Sequence, residues 1–190
     1  MQFVLDHLSA IMISAAVTLL ILSTTFSAQR SAAEQTIAYA AKKMTLEMAD
    51  TIEQEFLLIG DGTDDTIETI TTNSDGNTTE FSFWREDEFG LDMEVSYTLT
   101  ELDSVYIQSE WRQLYRLNRL ENGVPAGGGS SRLTDFRITL LNSSGAATAD
   151  VAEARLIRIA AVNAYPYGES ADMYLFRSFW GISVRPRNLE

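Results

Sequence analysis

Few residues of this 190-residue chain have the types and spacing that enzymatic chemistry requires. The one histidine, His7, precedes an apolar segment and lies far along the chain from most of the acidic residues. Neither a Ser-His-Asp arrangement nor a histidine metal site is therefore expected. The absence of cysteine also excludes disulfide bonds and thiolate metal ligands. The sequence predicts a protein that is not an enzyme and that needs no cofactor.

Two short acidic stretches, 61–65 and 73–77, have oxygen ligands of the kind that Ca²⁺ prefers. Neither stretch has the downstream bidentate glutamate of an EF-hand, and Asp, Asn and Gly are also favoured in turns for backbone reasons. Turns are the favoured interpretation. The alternative is a structural calcium site, with candidate ligands Asp61, Asp64, Asp65 and Asp75.

A glycine-rich stretch and a set of aromatic side chains are the remaining candidates for binding. Gly127–Ser131 lacks the lysine and the spacing of a phosphate-binding loop, so we interpret the stretch 122–131 as a flexible turn between strands. Trp84, Trp111 and Trp180, with most of the tyrosines, could form a ligand platform. Aromatic residues in alternating segments more often form the core of a sheet, and we expect a core here.

The elements that position these residues begin with an uncharged apolar segment, Leu8–Ala28. As a helix this segment would span ~31 Å, which matches the hydrocarbon core of a bilayer. No Lys or Arg precedes Arg30, so the segment lacks the basic start of a cleaved secretory signal, and we expect it to remain as an anchor. The orientation of the segment in the membrane stays open. The positive-inside rule uses flanking Lys and Arg residues, and none lies on the N-terminal side.

The helical pattern continues beyond the apolar segment. Apolar residues recur at steps of three and four, which predicts a helix that packs one face on a domain core. These residues are Ile37, Ala41, Met44, Met48, Ile52, Phe56 and Ile59. Gly60-Asp61-Gly62 predicts the end of the helix. Residues 1–60 are therefore expected to form one long helix, half transmembrane and half amphipathic, with its hydrophobic segment at 8–28.

Beyond residue 60 the periodicity changes from helix to strand. Two alternating segments flank the turn signal at 73–77, which predicts a β-hairpin. Further strands are predicted near 93–99, 113–120, 133–141, 154–162 and 172–184. Five to seven antiparallel strands after one helix indicate an α+β fold. Residues 61–190 then form a globular β-rich domain whose sheet covers the apolar face of the helix.

The charge of the chain is unevenly distributed. The formal net charge is −13, but the segment Glu34–Glu110 has 19 acidic and three basic residues, and the segment Trp111–Glu190 has 10 arginines and seven acidic residues. This asymmetry excludes nucleic acid as a partner of the acidic half. It is compatible with charge complementarity between subunits or with a solvated acidic surface.

Several short segments, taken in order, make the chain similar to a known family. They are Gln29-Arg30, Glu34, Gln35, Tyr39, Ile52–Gly60, Val95–Leu99, Gln113–Leu117, Phe136–Leu141 and Val184–Asn188. With the N-terminal apolar helix, they resemble the minor pilins and J-type pseudopilins of the type IV pilin superfamily. Members of this superfamily are structural subunits whose N-terminal helices bundle into a filament core.

The resemblance implies a pilin-like structural subunit of an extracellular filament or secretion pseudopilus, anchored in the membrane before assembly. Its partners would be copies of itself or related pilin-like subunits. The family's acidic residue near the mature N-terminus has Asp6 as its nearest counterpart, which would pair with the amino group of a neighbouring Met1. The small residues that would allow close helix packing are Ala10, Ser14, Ala15, Ala16 and Ser23.

A second hypothesis belongs to a different class of protein. The chain would be a single-pass membrane-anchored β-domain that binds a carbohydrate, an ion or a partner protein through its aromatic residues and acidic loops. The sequence does not show whether the chain is a major or a minor subunit or which machine assembles it. It also does not show whether a leader peptide is removed or which ligand or cargo the chain has.

Overall fold

A computed structural model describes residues 2–62, 66–107, 110–167 and 174–189 of the chain. In chain order the elements are α1 (Gln2–Leu57), β1 (Ile67–Thr72), β2 (Thr78–Glu86), β3 (Asp92–Ile107), β4 (Glu110–Glu121), β5 (Val124–Leu141), the short 3-10 helix Val151–Glu153, β6 (Leu156–Tyr167) and β7 (Tyr174–Val184). The strands form one antiparallel sheet in sequential order, β1 to β7. The predicted α+β fold, with one long N-terminal helix, is confirmed.

Helix α1 contains neither Gly nor Pro, the residues that would weaken or break it. It ends at Leu57, three residues before the predicted glycine stop. Gly60 follows with φ 72°, a left-handed conformation that glycine adopts without strain. The chain divides into two compact units, one ending at Tyr39 and one beginning at Ala40. Residues 40–57 of α1 therefore belong to the same unit as the strands.

The core of the second unit lies between α1 and the sheet. Met48, Ile52 and Phe56, which recur on one face of α1, are fully buried there, as the stripe in the sequence predicts. The Phe56 ring packs on Phe81 and Tyr97, with centroid distances of 5.1 and 5.8 Å. Burial of this apolar face against the strands stabilises the amphipathic part of the helix.

Strand β5 joins the two halves of the sheet. Its first part pairs with β4 as far as Leu133, and its second part pairs with β6 from Leu133 onward. The second part has no β4 partner, and side chains of the β1–β2 hairpin bind its backbone instead. Phe136 N donates to Asn77 Oδ1 at 3.1 Å, and Ile138 N donates to Thr78 Oγ1 at 2.8 Å. These two bonds satisfy buried N–H groups of β5 beyond the point where β4 pairs with it.

The prediction of a flexible turn at 122–131 is wrong for most of that stretch. Only Asn122 and Gly123 form the turn, with φ values of 48° and 77°. Positive φ at both residues is what a two-residue Asn-Gly hairpin requires. From Val124 onward the chain belongs to β5.

The glycines of β5 allow close contact between backbone segments. Gly128 has φ 91°, and a Cβ at this position would meet the side chain of Thr51 on α1. A Cβ at Gly129 would overlap the carbonyl oxygen of Leu117 on β4. Glycine within a strand commonly marks such an approach of a neighbouring backbone.

Candidate functional site

The apolar segment 8–28 of α1 is exposed along its whole length. Its consecutive residues Leu19–Leu22, which together complete one helical turn, are each 46–67% exposed. The segment is therefore apolar on all sides, unlike the one-sided face that follows in residues 41–56. By length and composition α1 can cross a membrane, which makes it a candidate membrane anchor.

The hydroxyl groups within this segment bond to its own backbone. Thr18 Oγ1 donates to the Ser14 carbonyl oxygen at 2.8 Å, and Thr24 and Thr25 donate to the carbonyl oxygens of Leu20 and Ile21 at 3.0 and 2.8 Å. A hydroxyl whose proton is bonded in this way leaves no unsatisfied donor in an apolar environment. The threonines therefore do not oppose burial in lipid or against another helix.

The small residues predicted to allow close helix packing lie on two faces of the segment. At 3.6 residues per turn, Ala10 and Ser14 lie within about 40° of each other around the axis, and Ala16 and Ser23 lie within about 20° on the roughly opposite side. Ala15 lies between these faces. All five side chains are exposed. Two opposite faces suit contacts with more than one neighbouring helix.

Met1 and the side chain of Asp6 lie outside the described part of the chain. The backbone of Asp6 belongs to α1. The predicted pairing between this carboxylate and a neighbouring Met1 therefore stays a prediction.

The principal polar feature of the second unit is a buried ionic cluster, formed by Glu55, Arg85, Tyr97, Arg119 and Glu121. Arg119 Nε donates to Glu55 Oε2 at 2.9 Å, and its Nη2 donates to both carboxylates of the cluster. The Tyr97 hydroxyl also donates to Glu55, and Arg85 Nη2 lies 3.4 Å from Glu55 Oε1. Two carboxylates thus balance two guanidinium groups, as burial of charge requires.

The cluster perturbs the titration of two of its members. Burial raises the pKa of Tyr97 well above its ordinary value of 10.0, and the Glu55 carboxylate adds to this shift. The hydrogen bonds from Arg119 to Glu55 raise the pKa of Arg119, although its burial acts in the opposite direction. Tyr97 is therefore a neutral donor and Arg119 a permanent cation. This arrangement has no nucleophile or free base, and its geometry suits the fixing of α1 to the sheet.

The sequence interpretation missed this cluster, although two signals in the sequence could have revealed it. Glu55 lies three residues after Ile52 and four before Ile59, which places it on the buried face of α1. Arg119 alternates in phase with Tyr115 and Leu117 on the buried face of β4. A charged residue in phase with an apolar face indicates a buried charge, and each buried charge needs a partner.

A second buried polar contact joins α1 to the sheet. Asn163 is completely buried on β6 and donates from Nδ2 to Thr45 Oγ1 at 2.9 Å. Ser130 Oγ on β5 donates to Asn163 Oδ1 at 2.8 Å. The amide thus links the helix with two strands, and its partners remove the penalty of burying it.

The candidate calcium ligands do not assemble into one site in the described part of the chain. Asp61 and Asp75 lie at opposite ends of the β1–β2 hairpin, separated by a strand of about 20 Å. Asp64 and Asp65 lie outside the described residues. Among the residues that the structure describes, no three His, Asp or Glu side chains could hold a metal ion together. A calcium site, the alternative to the predicted turns, stays a hypothesis.

The predicted aromatic core is confirmed for some residues and wrong for others. Tyr97 and Tyr115 are buried, and Trp180 packs against the core. Trp111 and Tyr106 instead lie at the tip of the β3–β4 hairpin and are 70% and 54% exposed. This tip extends beyond β2 and β5, the strands that flank β3 and β4 in the rest of the sheet.

One described cavity, of about 350 Å³, is lined by Ser143, Arg155, Leu156 and Arg185. It contains no member of the ionic cluster. Comparisons of the chain with family models, with curated proteins and with solved structures give no match. The function must therefore be argued from the residues themselves.

Proposed function

We propose that this chain is a structural, pilin-like subunit that assembles into an extracellular filament or a secretion pseudopilus through its hydrophobic N-terminal helix. The observation that carries the proposal is the apolar segment 8–28, which is uncharged, helical and exposed on all sides. Such a surface is stable only in lipid or against other apolar surfaces. A subunit that moves from membrane to filament core meets both conditions in turn.

The order of the parts further supports this proposal. The apolar segment lies in the same continuous helix as the buried face of residues 41–56. The two small-residue faces, Ala10 with Ser14 and Ala16 with Ser23, allow neighbouring helices to approach closely. Partners of this chemistry are copies of the same chain or related subunits.

The second candidate function is that of a membrane-anchored β-domain that binds a carbohydrate or a partner protein. The exposed pair Tyr106 and Trp111 favours it, because aromatic side chains in solvent commonly serve as binding anchors. This function requires the anchor but no filament.

A bulky side chain in place of one of the small residues tests the proposal. Ala16→Leu and Ala15→Leu should each reduce the amount of filament recovered from sheared cell surfaces, because the added atoms separate neighbouring helices. Membrane insertion should persist, since the transfer of leucine into the bilayer is favourable. Ala33→Leu, at an exposed helical position beyond the apolar segment, is the matched control.

Filaments are detected by electron microscopy and immunoblotting, and insertion is measured by resistance to carbonate extraction. Undiminished filaments in both variants would contradict a helical core. Membrane insertion of the wild-type chain without any filament would instead favour the anchored binding domain.

A further inference from the structure

The β3–β4 hairpin extends beyond the sheet as a two-stranded arm, formed by residues 101–107 and 110–113. Strand β3 pairs with β2 no further than Thr98, and β4 pairs with β5 only from Tyr115 onward. In the described part of the chain, the two outer edges of the arm therefore have no neighbouring strand. Free edges of this kind can pair with a strand of another chain.

Specific contacts hold the arm in shape. The bulge after Glu101 is closed by Gln113, which donates from Nε2 to the Leu102 carbonyl oxygen and accepts from Ser104 Oγ at 2.6 Å. Nearer the tip, the rings of Tyr106 and Trp111 pack across the two strands, with centroids 5.3 Å apart. An isolated two-stranded hairpin is only marginally stable, so these contacts help to keep the arm folded. The two rings also present a large apolar surface to solvent.

The charge of the arm distinguishes between the two free edges of the main sheet. The arm has three acidic residues, Glu101, Asp103 and Glu110, and one basic residue, Arg112. Of the two outermost strands, β1 contains one acidic residue and no basic residue, whereas β7 contains one arginine and no acidic residue and is followed by two more arginines. Charge complementarity therefore favours β7 as the partner of the arm.

The outer face of β7 also has an apolar group for the aromatic pair. Phe179 is 72% exposed, and Arg177 lies on the same face two residues before it. Trp180 and Ile182, in contrast, pack against the core. The edge strand thus presents a cation beside an exposed ring, which complements an acidic arm with an exposed aromatic pair.

We propose that the arm of one copy of this chain docks along the β7 edge of a second copy and extends its sheet. The proposal rests on the proposed self-assembly and names the surfaces that the globular domains use for it. Arm and edge are different surfaces, so the contact is head-to-tail: the first copy keeps its β7 edge free, and the second copy keeps its arm free. Such a contact propagates along a filament rather than closing into a dimer.

Cysteine cross-linking between full-length copies tests the contact directly, because the natural chain has no cysteine. Cells that contain one chain with Arg112→Cys and another with Ser178→Cys, which lies between Arg177 and Phe179 on β7, should yield a disulfide-linked heterodimer after mild oxidation. The matched control replaces Ser178→Cys by Thr72→Cys, an exposed position on the β1 edge. A link to β7 and none to β1 is the expected result. Linking to β1 instead would overturn the choice of edge.

Charge reversal gives an independent measurement of the same contact. Asp103→Lys or Arg177→Glu alone should weaken cross-linking about tenfold, and a mixture of the two complementary variants should restore it. Trp111→Ala should weaken it by a similar factor, whereas Phe89→Ala, which removes an exposed ring elsewhere, should not. Reversals that do not compensate each other would overturn the pairing.

The outcomes separate this inference from the proposed function. Normal filaments without the arm-to-β7 link would overturn the arm contact and leave helix-driven assembly intact. The link in chains that form no filament would support the arm contact and contradict the proposed filament.

Discussion

At the scale of single residues, Glu55 of α1 has polar contacts with side chains on three strands, β2, β3 and β4. Its carboxylate accepts from Tyr97 and Arg119, which lie on neighbouring strands. Removal of one partner of a buried ion pair leaves an uncompensated charge, which commonly destabilises a protein by about 3–5 kcal/mol. The cluster also fixes which turn of α1 faces β4, because a shift of the helix would move Glu55 away from Arg119.

Tyr97 gives this cluster a pH dependence. In the folded chain its pKa lies well above 10.0, because burial and Glu55 disfavour the phenolate, whereas in the unfolded chain it titrates normally. Its contribution to stability is therefore complete below pH 10 and decreases as the pH rises above that value, where only the unfolded chain readily releases the proton. We expect the urea midpoint of the full chain in detergent to fall with alkaline pH, and to fall less steeply in Tyr97→Phe.

Tyr97→Phe should also lower stability at neutral pH by about 1.5–3 kcal/mol, since it removes a hydrogen bond to a charged group. Tyr106→Phe, which changes an exposed hydroxyl in the same sheet, is the control and should behave as wild type. An equally steep alkaline decrease in Tyr97→Phe and wild type would show that the phenol does not cause the pH dependence.

At the scale of elements, β5 shows how a glycine-rich segment can form an ordered strand. Gly128 lies where β5 passes close to Thr51 of α1, and Gly129 lies where it passes close to the backbone of β4. Larger side chains at these two positions would force β5 away from its neighbours. Arg119 Nη1 also donates to the Gly127 carbonyl oxygen at 3.1 Å, which joins this stretch to the ionic cluster.

Two substitutions in β5, at Gly127 and Gly129, test this interpretation. Gly129→Ala should destabilise the fold by about 1–3 kcal/mol, because the new methyl group overlaps the Leu117 carbonyl oxygen, which cannot move without disturbing β4. Gly127→Ala should have little effect, since no atom within 4 Å meets a Cβ there. Thermal unfolding followed by circular dichroism compares them. Equal melting temperatures would indicate that β5 has room to relax.

At the scale of the whole molecule, the uneven charge predicts how assembly responds to salt. The segment 34–110 has a large acidic excess, whereas basic residues predominate after residue 110. Attraction between exposed charges on neighbouring copies is screened beyond about 8 Å at physiological ionic strength and beyond about 3 Å at 1 M salt. Contacts between apolar helices are not screened.

We expect the sedimentable fraction of assembled material to decrease from low to high salt, and charge reversal of both Arg185 and Arg187 to Glu to reduce it at low salt. Lys42→Glu with Lys43→Glu, which reverses two exposed cations on α1, is a control for net charge. Sedimentation that is indifferent to salt and to the arginine reversals would leave the acidic half as a solvated surface.

The sequence by itself determined the elements and the class of fold. The limits of the apolar segment, the stripe at Met48, Ile52 and Phe56, and the turn at 73–77 all depend on residues close together in the chain, and local periodicity records such relations directly. For the same reason most strands lie near their predicted positions. The pairing of β1 with β2 likewise follows from the short turn that connects them.

Only the tertiary structure decided which polar residues contact each other and which described strand segments have no neighbouring strand. Glu55 and Arg119 are 64 residues apart, and no local pattern specifies that they approach each other. The glycines of β5 resemble a loop in the sequence because their partners, Thr51 and Leu117, are distant along the chain. The arm likewise arises because β4 gains its β5 neighbour only from Tyr115 onward. These features depend on non-local packing, in which two segments constrain each other only once the helix and sheet are in place.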